Sequence, residues 1–118
     1  MKVVAINGSP CAGGNTAQAL GWMTDELGRQ GIETETVQIG QLAIHGCTGC
    51  GYCRTSMENQ CVFRDDPVNE VARKMRQADG FILGCPVYYA GIPGAMKCFL
   101  DRVFYSSTPY FRFKVATG

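Results

Sequence analysis

The chain has 118 residues, 46% of them hydrophobic and 18% charged. That suits one domain with a modest core and excludes a disordered polymer. A net charge of +1 leaves no electrostatic footprint for nucleic acid or an anionic membrane.

The elements follow in chain order. Val3–Ile6 is a short apolar, β-branched run, the signature of a central strand buried on both faces. It stops at Asn7-Gly8, far short of a signal-peptide apolar region. Residues 7–14 carry turn chemistry, and a helix is predicted from Asn15 or Thr16 to about Gln30. Ala17, Leu20, Met23 or Thr24, and Leu27 mark its inner face, with Gly31 as its C-terminal cap. Residues 32–39 alternate like an edge strand. Residues 40–64 form a long connection, a length that tends to be functional. Asp65-Asp66-Pro67 starts a second helix, with Val68, Val71, Ala72 and Met75 inward. Residues 80–85 read as a third buried strand and 86–91 as a loop. A third helix covers about Pro93 to Tyr105, with Met96, Phe99, Leu100 and Val103 inward. The longest apolar stretch, Phe81–Ile92, is cut by Pro86 and is too short to span a bilayer. The alternation predicts an α/β fold, a parallel sheet with helices on both faces and ligands at the carboxyl ends of its strands.

Three segments at that end carry the chemistry. The first is Asn7-Gly8-Ser9-Pro10-Cys11-Ala12-Gly13-Gly14-Asn15-Thr16. Hydroxyls, backbone N–H groups and a helix N-terminus there can cradle a phosphate. It lacks the Gly-Lys-Ser/Thr of a nucleotide triphosphatase and the G-x-G-x-x-G of a dinucleotide site. A plain strand–helix turn is the alternative.

The second is Cys47-Thr-Gly-Cys50-Gly-Tyr-Cys53 with Cys61, a C-x2-C-x2-C-x7-C spacing. Four thiolates this close can hold a [4Fe–4S] cluster. A zinc site more often uses separated C-x2-C pairs. Free thiols in a loop are the third reading. The chain is expected to be cytoplasmic, and in a reducing compartment seven cysteines favour metal or redox chemistry over disulfides. His45, the single histidine, is expected at the surface. Cys85 and Cys98 are expected to pack as small hydrophobes.

The third is Pro86-Val87-Tyr88-Tyr89-Ala90-Gly91, whose backbone and tyrosines can pack against a flat ring. The aromatic tail Phe104-Tyr105, Tyr110-Phe111 and Phe113 is either a dimer surface or core.

The string from Asn7 to Thr16, with Cys85-Pro86-Val87-Tyr88-Tyr89 and Lys97-x-x-Leu100-Asp101-Arg102, resembles the NAD(P)H-dependent FMN reductases of the flavodoxin-like superfamily. With the four cysteines it looks most like their iron–sulfur flavoprotein branch. The resemblance covers the whole chain as one domain, 1–118, with a cysteine-rich loop at 46–62. It implies FMN held by Ser9, Pro10, Cys11, Gly14, Asn15 and Thr16, its ring against Pro86, Val87, Tyr88, Tyr89 and Gly91. It implies a [4Fe–4S] cluster on Cys47, Cys50, Cys53 and Cys61, and NAD(P)H as a possible electron donor. Cys11 stands where the family often has Arg. A flavodoxin-like sheet has five strands, and this chain reaches Lys114–Gly118 about where a fourth would begin. The expectation is therefore a shortened sheet whose third strand has an open edge.

The function expected is an FMN-dependent oxidoreductase passing electrons between flavin and cluster. The alternatives are an FMN or quinone reductase without a cluster, and a truncated or zinc-stabilised module without redox activity. No side chain is singled out as catalytic, since the protein's task is to place and tune cofactors. A small-molecule or protein redox partner and a homodimer or higher oligomer are expected.

Overall fold

Strand β1 (Lys2–Asn7) lies between two parallel neighbours in the computed structural model, which describes residues 1–118. On one side is β2 (Glu33–Gln38) and on the other β3 (Gly80–Gly84). Val4, Ala5 and Ile6 are fully buried, as a continuous apolar run requires of a strand covered on both faces. The alternating β2 takes the sheet edge, as its pattern predicts.

Helix α1 (Asn15–Arg29) covers one face, where Leu20 packs with Ala5 and Ile82. It ends with Gly31 N–H donating to Gly28 O and Ile32 N–H to Leu27 O, each at 3.0 Å, the Schellman pattern. Thr24, not Met23, is the half-buried residue of its inner face; Met23 is exposed. The other face holds the larger core. There α3 (Val68–Gln77) and α4 (Gly94–Ser107) bury Val68, Val71, Ala72, Met75, Met96, Phe99 and Val103 against Val4 and Ile6. Leu100 is only half-buried. The long connection contains one turn of helix that the residue pattern does not announce, α2 (Tyr52–Thr55).

The expected open edge on the third strand is corrected by the structure. Residues Val115–Thr117 form β4, parallel to β3, with Gly80 opposite Val115 and Ile82 opposite Thr117. The aromatic tail brings it there. Phe104 and Phe111 pack with Phe81, ring centroids 5.2–5.9 Å apart, so Phe111 serves as core. Lys114 Nζ then donates to Ala78 O, which sets the last residues beside β3. The resulting order β2-β1-β3-β4 is the flavodoxin-like order as far as it runs.

Two features fix the carboxyl end of this sheet. Gly40 lies directly against the loop that leaves β1. A Cβ there would stand 2.2 Å from the carbonyl carbon and oxygen of Ser9 and 2.5 Å from Gly8 O. Only glycine fits, because all of these neighbours are backbone.

The second feature is an ion pair buried between α4 and the start of α3. The Arg102 and Asp66 side chains are 0% and 2% exposed. Arg102 grips both carboxylate oxygens, through Nη1 on Oδ2 and Nη2 on Oδ1 (3.0 Å for the latter). Asp66 also accepts N–H groups from Val68 (3.2 Å) and His45 (3.3 Å). It is thus the side-chain acceptor at the start of α3, with Pro67 directly after it, close to the predicted helix start. Burial alone would raise the Asp66 pKa. The Arg102 guanidinium and the two N–H groups outweigh it and hold the carboxyl below its ordinary range.

Gly40→Ala is expected to lower stability by about 2 kcal/mol or more, because the contacted backbone cannot rotate away. Urea unfolding followed by circular dichroism measures it, and an unchanged midpoint refutes the close approach. Asp66→Ala is expected to cost about 3–5 kcal/mol at pH 7, since it strands a buried guanidinium. The sign of its pH dependence follows from a lowered folded pKa. The stabilisation is complete above the unfolded value of about 4 and is lost as pH falls through the folded value. Wild-type and variant stabilities should therefore converge in acid; parallel curves down to pH 2 would contradict it.

Candidate functional site

The loop between β1 and α1 is held from beneath. Asn7 and Ser9 are both buried. Ser9 N–H donates to Asn7 Oδ1 (3.0 Å), and Cys11 N–H donates to Ser9 Oγ (3.1 Å). Gly14 N–H closes the turn on Cys11 O at 3.1 Å. Gln38 and Gln41, arriving from β2 and the connection after it, donate to the carbonyls of Ser9 (2.5 Å) and Pro10 (2.7 Å). Both glutamines escape a motif reading, because they act through backbone atoms of a distant segment.

The N-cap of α1 is Gly14, in extended conformation and with no side chain bonded across the helix start. The first-turn N–H groups and the positive end of the helix dipole are thereby left for an anion. Thr16 is half-buried on that first turn, while Cys11 and Asn15 are exposed beside it. Ser9 Oγ accepts one bond and keeps its own proton to donate. This donor set fits the phosphate of FMN. Neither Ser9 nor Thr16 caps the helix start, so the capping role a plain strand–helix turn would give them is not filled.

Residues Pro86 to Gly91 form a tight projecting turn. Tyr88 N–H donates to Gly91 O (2.7 Å) and Gly91 N–H returns to Tyr88 O (3.1 Å). The two central residues, Tyr89 and Ala90, have φ of 43° and 61°. Both are left-handed, the geometry of a type I′ turn normally filled by Asn-Gly. Strain of this kind collects at ligand sites. Val87, Tyr88 and Tyr89 are exposed, so an apolar surface faces outward from the strand ends. The bases of the two loops touch: Gly8 N–H donates to Gly84 O at 2.7 Å, and Gly8 lies against Met96 and Cys85. Burial pushes the Cys85 thiol up, in keeping with its packing role.

Cys47, Cys50, Cys53 and Cys61 line a single small cavity, closed by Phe63, Arg102 and Tyr105. Gly49 and Gly51 have φ of 68° and 75° between the first three cysteines, and Gly51 starts the turn of α2 that carries Cys53. The Cys53 thiol is pushed up chiefly by burial and also by the nearby Cys61, Cys47 and Cys50 sulfurs. No three His, Cys, Asp or Glu side chains approach closely enough to share one ion. Four cysteine thiolates on one cavity are, by their chemistry, a donor set for a [4Fe–4S] cluster.

Cys61 is the most firmly held of the four. Asn69 of α3 accepts its N–H (2.8 Å) and donates to its carbonyl (3.0 Å). Arg102 Nε donates to its sulfur at 3.1 Å. Arg102 also reaches the carbonyls of His45 (3.2 Å) and Phe63 (3.5 Å). Sequence reading missed Asn69, and it noted Arg102 only as part of a family string. His45 lies outside the cavity, more than half exposed, stacked on Phe63 and bonded to Asp65. The cavity is lined by the cysteine loop and α4, not by the phosphate loop.

A family model described as NADPH-dependent FMN reductase matches residues 1–117. An iron–sulfur flavoprotein of Archaeoglobus fulgidus is 42% identical over 103 residues, covering 87% of this chain and 46% of that protein. One from Methanocaldococcus jannaschii is 39% identical over 102 residues, covering 86% and 51%. The chain spans about half the length of the curated relatives it matches. Among solved structures, an NAD(P)H:quinone oxidoreductase from Methanothermobacter marburgensis superposes with a TM-score of 0.68 at 20% identity, covering 88% of this chain and 53% of that one. An apo NADH:FMN oxidoreductase does so with 0.58 at 25% identity, covering 85% and 48%. The parallel sheet has the expected fold, and by the family model and these relatives the chain belongs to the NADPH-dependent FMN reductase family.

Proposed function

We propose that this chain is the cofactor-holding part of an FMN-dependent oxidoreductase that exchanges electrons between FMN and a [4Fe–4S] cluster. The observation that carries the reading is the gathering of four cysteine thiols on one cavity, in a loop leaving the same sheet end as an uncapped helix start. The iron–sulfur flavoprotein names of the relatives support it. Bound FMN supplies both one- and two-electron chemistry, and a [4Fe–4S] centre handles electrons singly.

The residues of the chain hold and orient. Ser9, Thr16 and the first-turn amides take the phosphate; Pro10, Cys11, Gly14 and Asn15 shape its surroundings. No lysine or arginine lies between Ser9 and Thr16, so phosphate binding rests on hydroxyls, amides and the helix dipole. The backbone of Pro86 to Gly91 faces the polar edge of the ring, and Val87, Tyr88 and Tyr89 cover its face and exclude water. Cys47, Cys50, Cys53 and Cys61 hold the cluster. NAD(P)H is the proposed donor, and a small molecule or redox protein the acceptor. No helix is long and apolar enough to cross a membrane. We place the protein in the cytoplasm, as a homodimer or higher oligomer.

Anaerobically purified protein is expected to show flavin absorption bands with a broad cluster shoulder and about four irons per chain. Flavin without iron would make it a plain FMN or quinone reductase. Zinc in place of iron, or neither cofactor, would overturn the electron-transfer reading. Thr16→Val keeps the side-chain volume and removes one hydroxyl aimed at a charged group, so FMN should bind roughly tenfold or more weakly by calorimetry. Unchanged affinity would place the phosphate elsewhere.

A further inference from the structure

The cysteine cavity has one cationic wall. The Arg102 guanidinium is fully buried, and its Nε–H points at the Cys61 sulfur from 3.1 Å. Its other edge is occupied by Asp66, also buried, and by the carbonyls of His45 and Phe63. The fork of Arg allows this division, with one nitrogen free for the sulfur while the other two grip a carboxylate; Lys has no equivalent. The Phe63 ring lies under the guanidinium carbon at 5.3 Å and helps keep water from it.

We propose that Arg102 is the positioning residue of the cluster site: its Nε–H fixes the Cys61 thiolate, and its charge, balanced by Asp66, sets the cluster's reduction potential. The inference rests on the cluster reading above. Adding an electron makes a cluster more negative. An N–H bond to a ligating sulfur and a cation beside it favour that reduced form, and the effect is strong where water is excluded. Asp66 acts in the opposite sense, because its carboxylate offsets the same guanidinium. Removing either partner should therefore move the potential, and in opposite directions. A pair that served only to hold the loop would not do this.

The test uses the full chain reconstituted with FMN, ferrous iron and sulfide under anaerobic conditions. Cluster and flavin midpoints are read by titrations followed by electron paramagnetic resonance and absorbance. Arg102→Gln is expected to lower the cluster midpoint and Asp66→Asn to raise it. Each shift should be at least tenfold in the one-electron equilibrium constant, about 59 mV, with the flavin midpoint unmoved. Unmoved cluster midpoints, or shifts of the same sign, overturn the proposal. So does a variant that folds and binds FMN but holds no iron, which would make the pair scaffold alone. If Arg102→Gln does not fold, the sign for Asp66→Asn decides. If neither folds, the pair is structural and the proposal fails. Iron in the wild type is measured first: its absence overturns the cluster reading itself, separately from the role of Arg102.

Discussion

The buried Asp66–Arg102 pair is the constraint on which the arrangement of the site depends. Two charges removed from water are costly unless nearly every donor and acceptor is matched. Here they are matched by parts of the chain far apart in sequence. Arg102 comes from α4, Asp66 from the start of α3, and the remaining partners are the Val68 and His45 N–H groups, the His45 and Phe63 carbonyls and the Cys61 sulfur. An apolar pair of similar volume could fill the same space. It could not hold a loop, because only polar groups give a largely irregular segment a fixed set of partners. The pair thus does for the cysteine loop what strand pairing does for the sheet.

The two loops nearest the strand ends obey different physics. The phosphate loop is rigid by crowding and by bonds from below, with Gly40 against Ser9 and two glutamines on its carbonyls. On its outward side no side chain caps the first turn of α1. The 86–91 turn is held by one pair of backbone bonds and places a tyrosine and an alanine in left-handed conformation. A rigid cradle suits a phosphate of fixed shape. A projecting, strained turn suits a flat ring that must be approached and covered.

Cover on the sheet is uneven. The α3 and α4 face buries a core of twelve residues, but the α1 face buries three. On that side Trp22, Met23, Leu27 and Val115 line an open groove, and Trp22 is 67% exposed. The stability of the domain therefore rests mainly on the face that also carries Arg102, so core and cysteine site are built on the same two helices.

Much was legible in the residues alone. The apolar run at Val3–Ile6, the spacing of Val68, Val71, Ala72 and Met75, and the turn chemistry at 7–14 each follow from local period and backbone preference. They fix element type and order, and with them the parallel sheet. The cysteine spacing and glycines also announce a shared cavity, since neighbours within fifteen residues can meet without long-range help. The rest was decided by tertiary contact. No local rule says that Phe111 would fold back on Phe81 and add β4, or that Met23 would turn outward while Thr24 packs. Nor does one say that Asn69 would grip Cys61, or that an arginine forty-one residues beyond that cysteine would donate to its sulfur. Sequence determines what is periodic or adjacent. Burial and the need to satisfy buried charge decide which distant residues must meet, and those terms exist only once the chain has closed on itself.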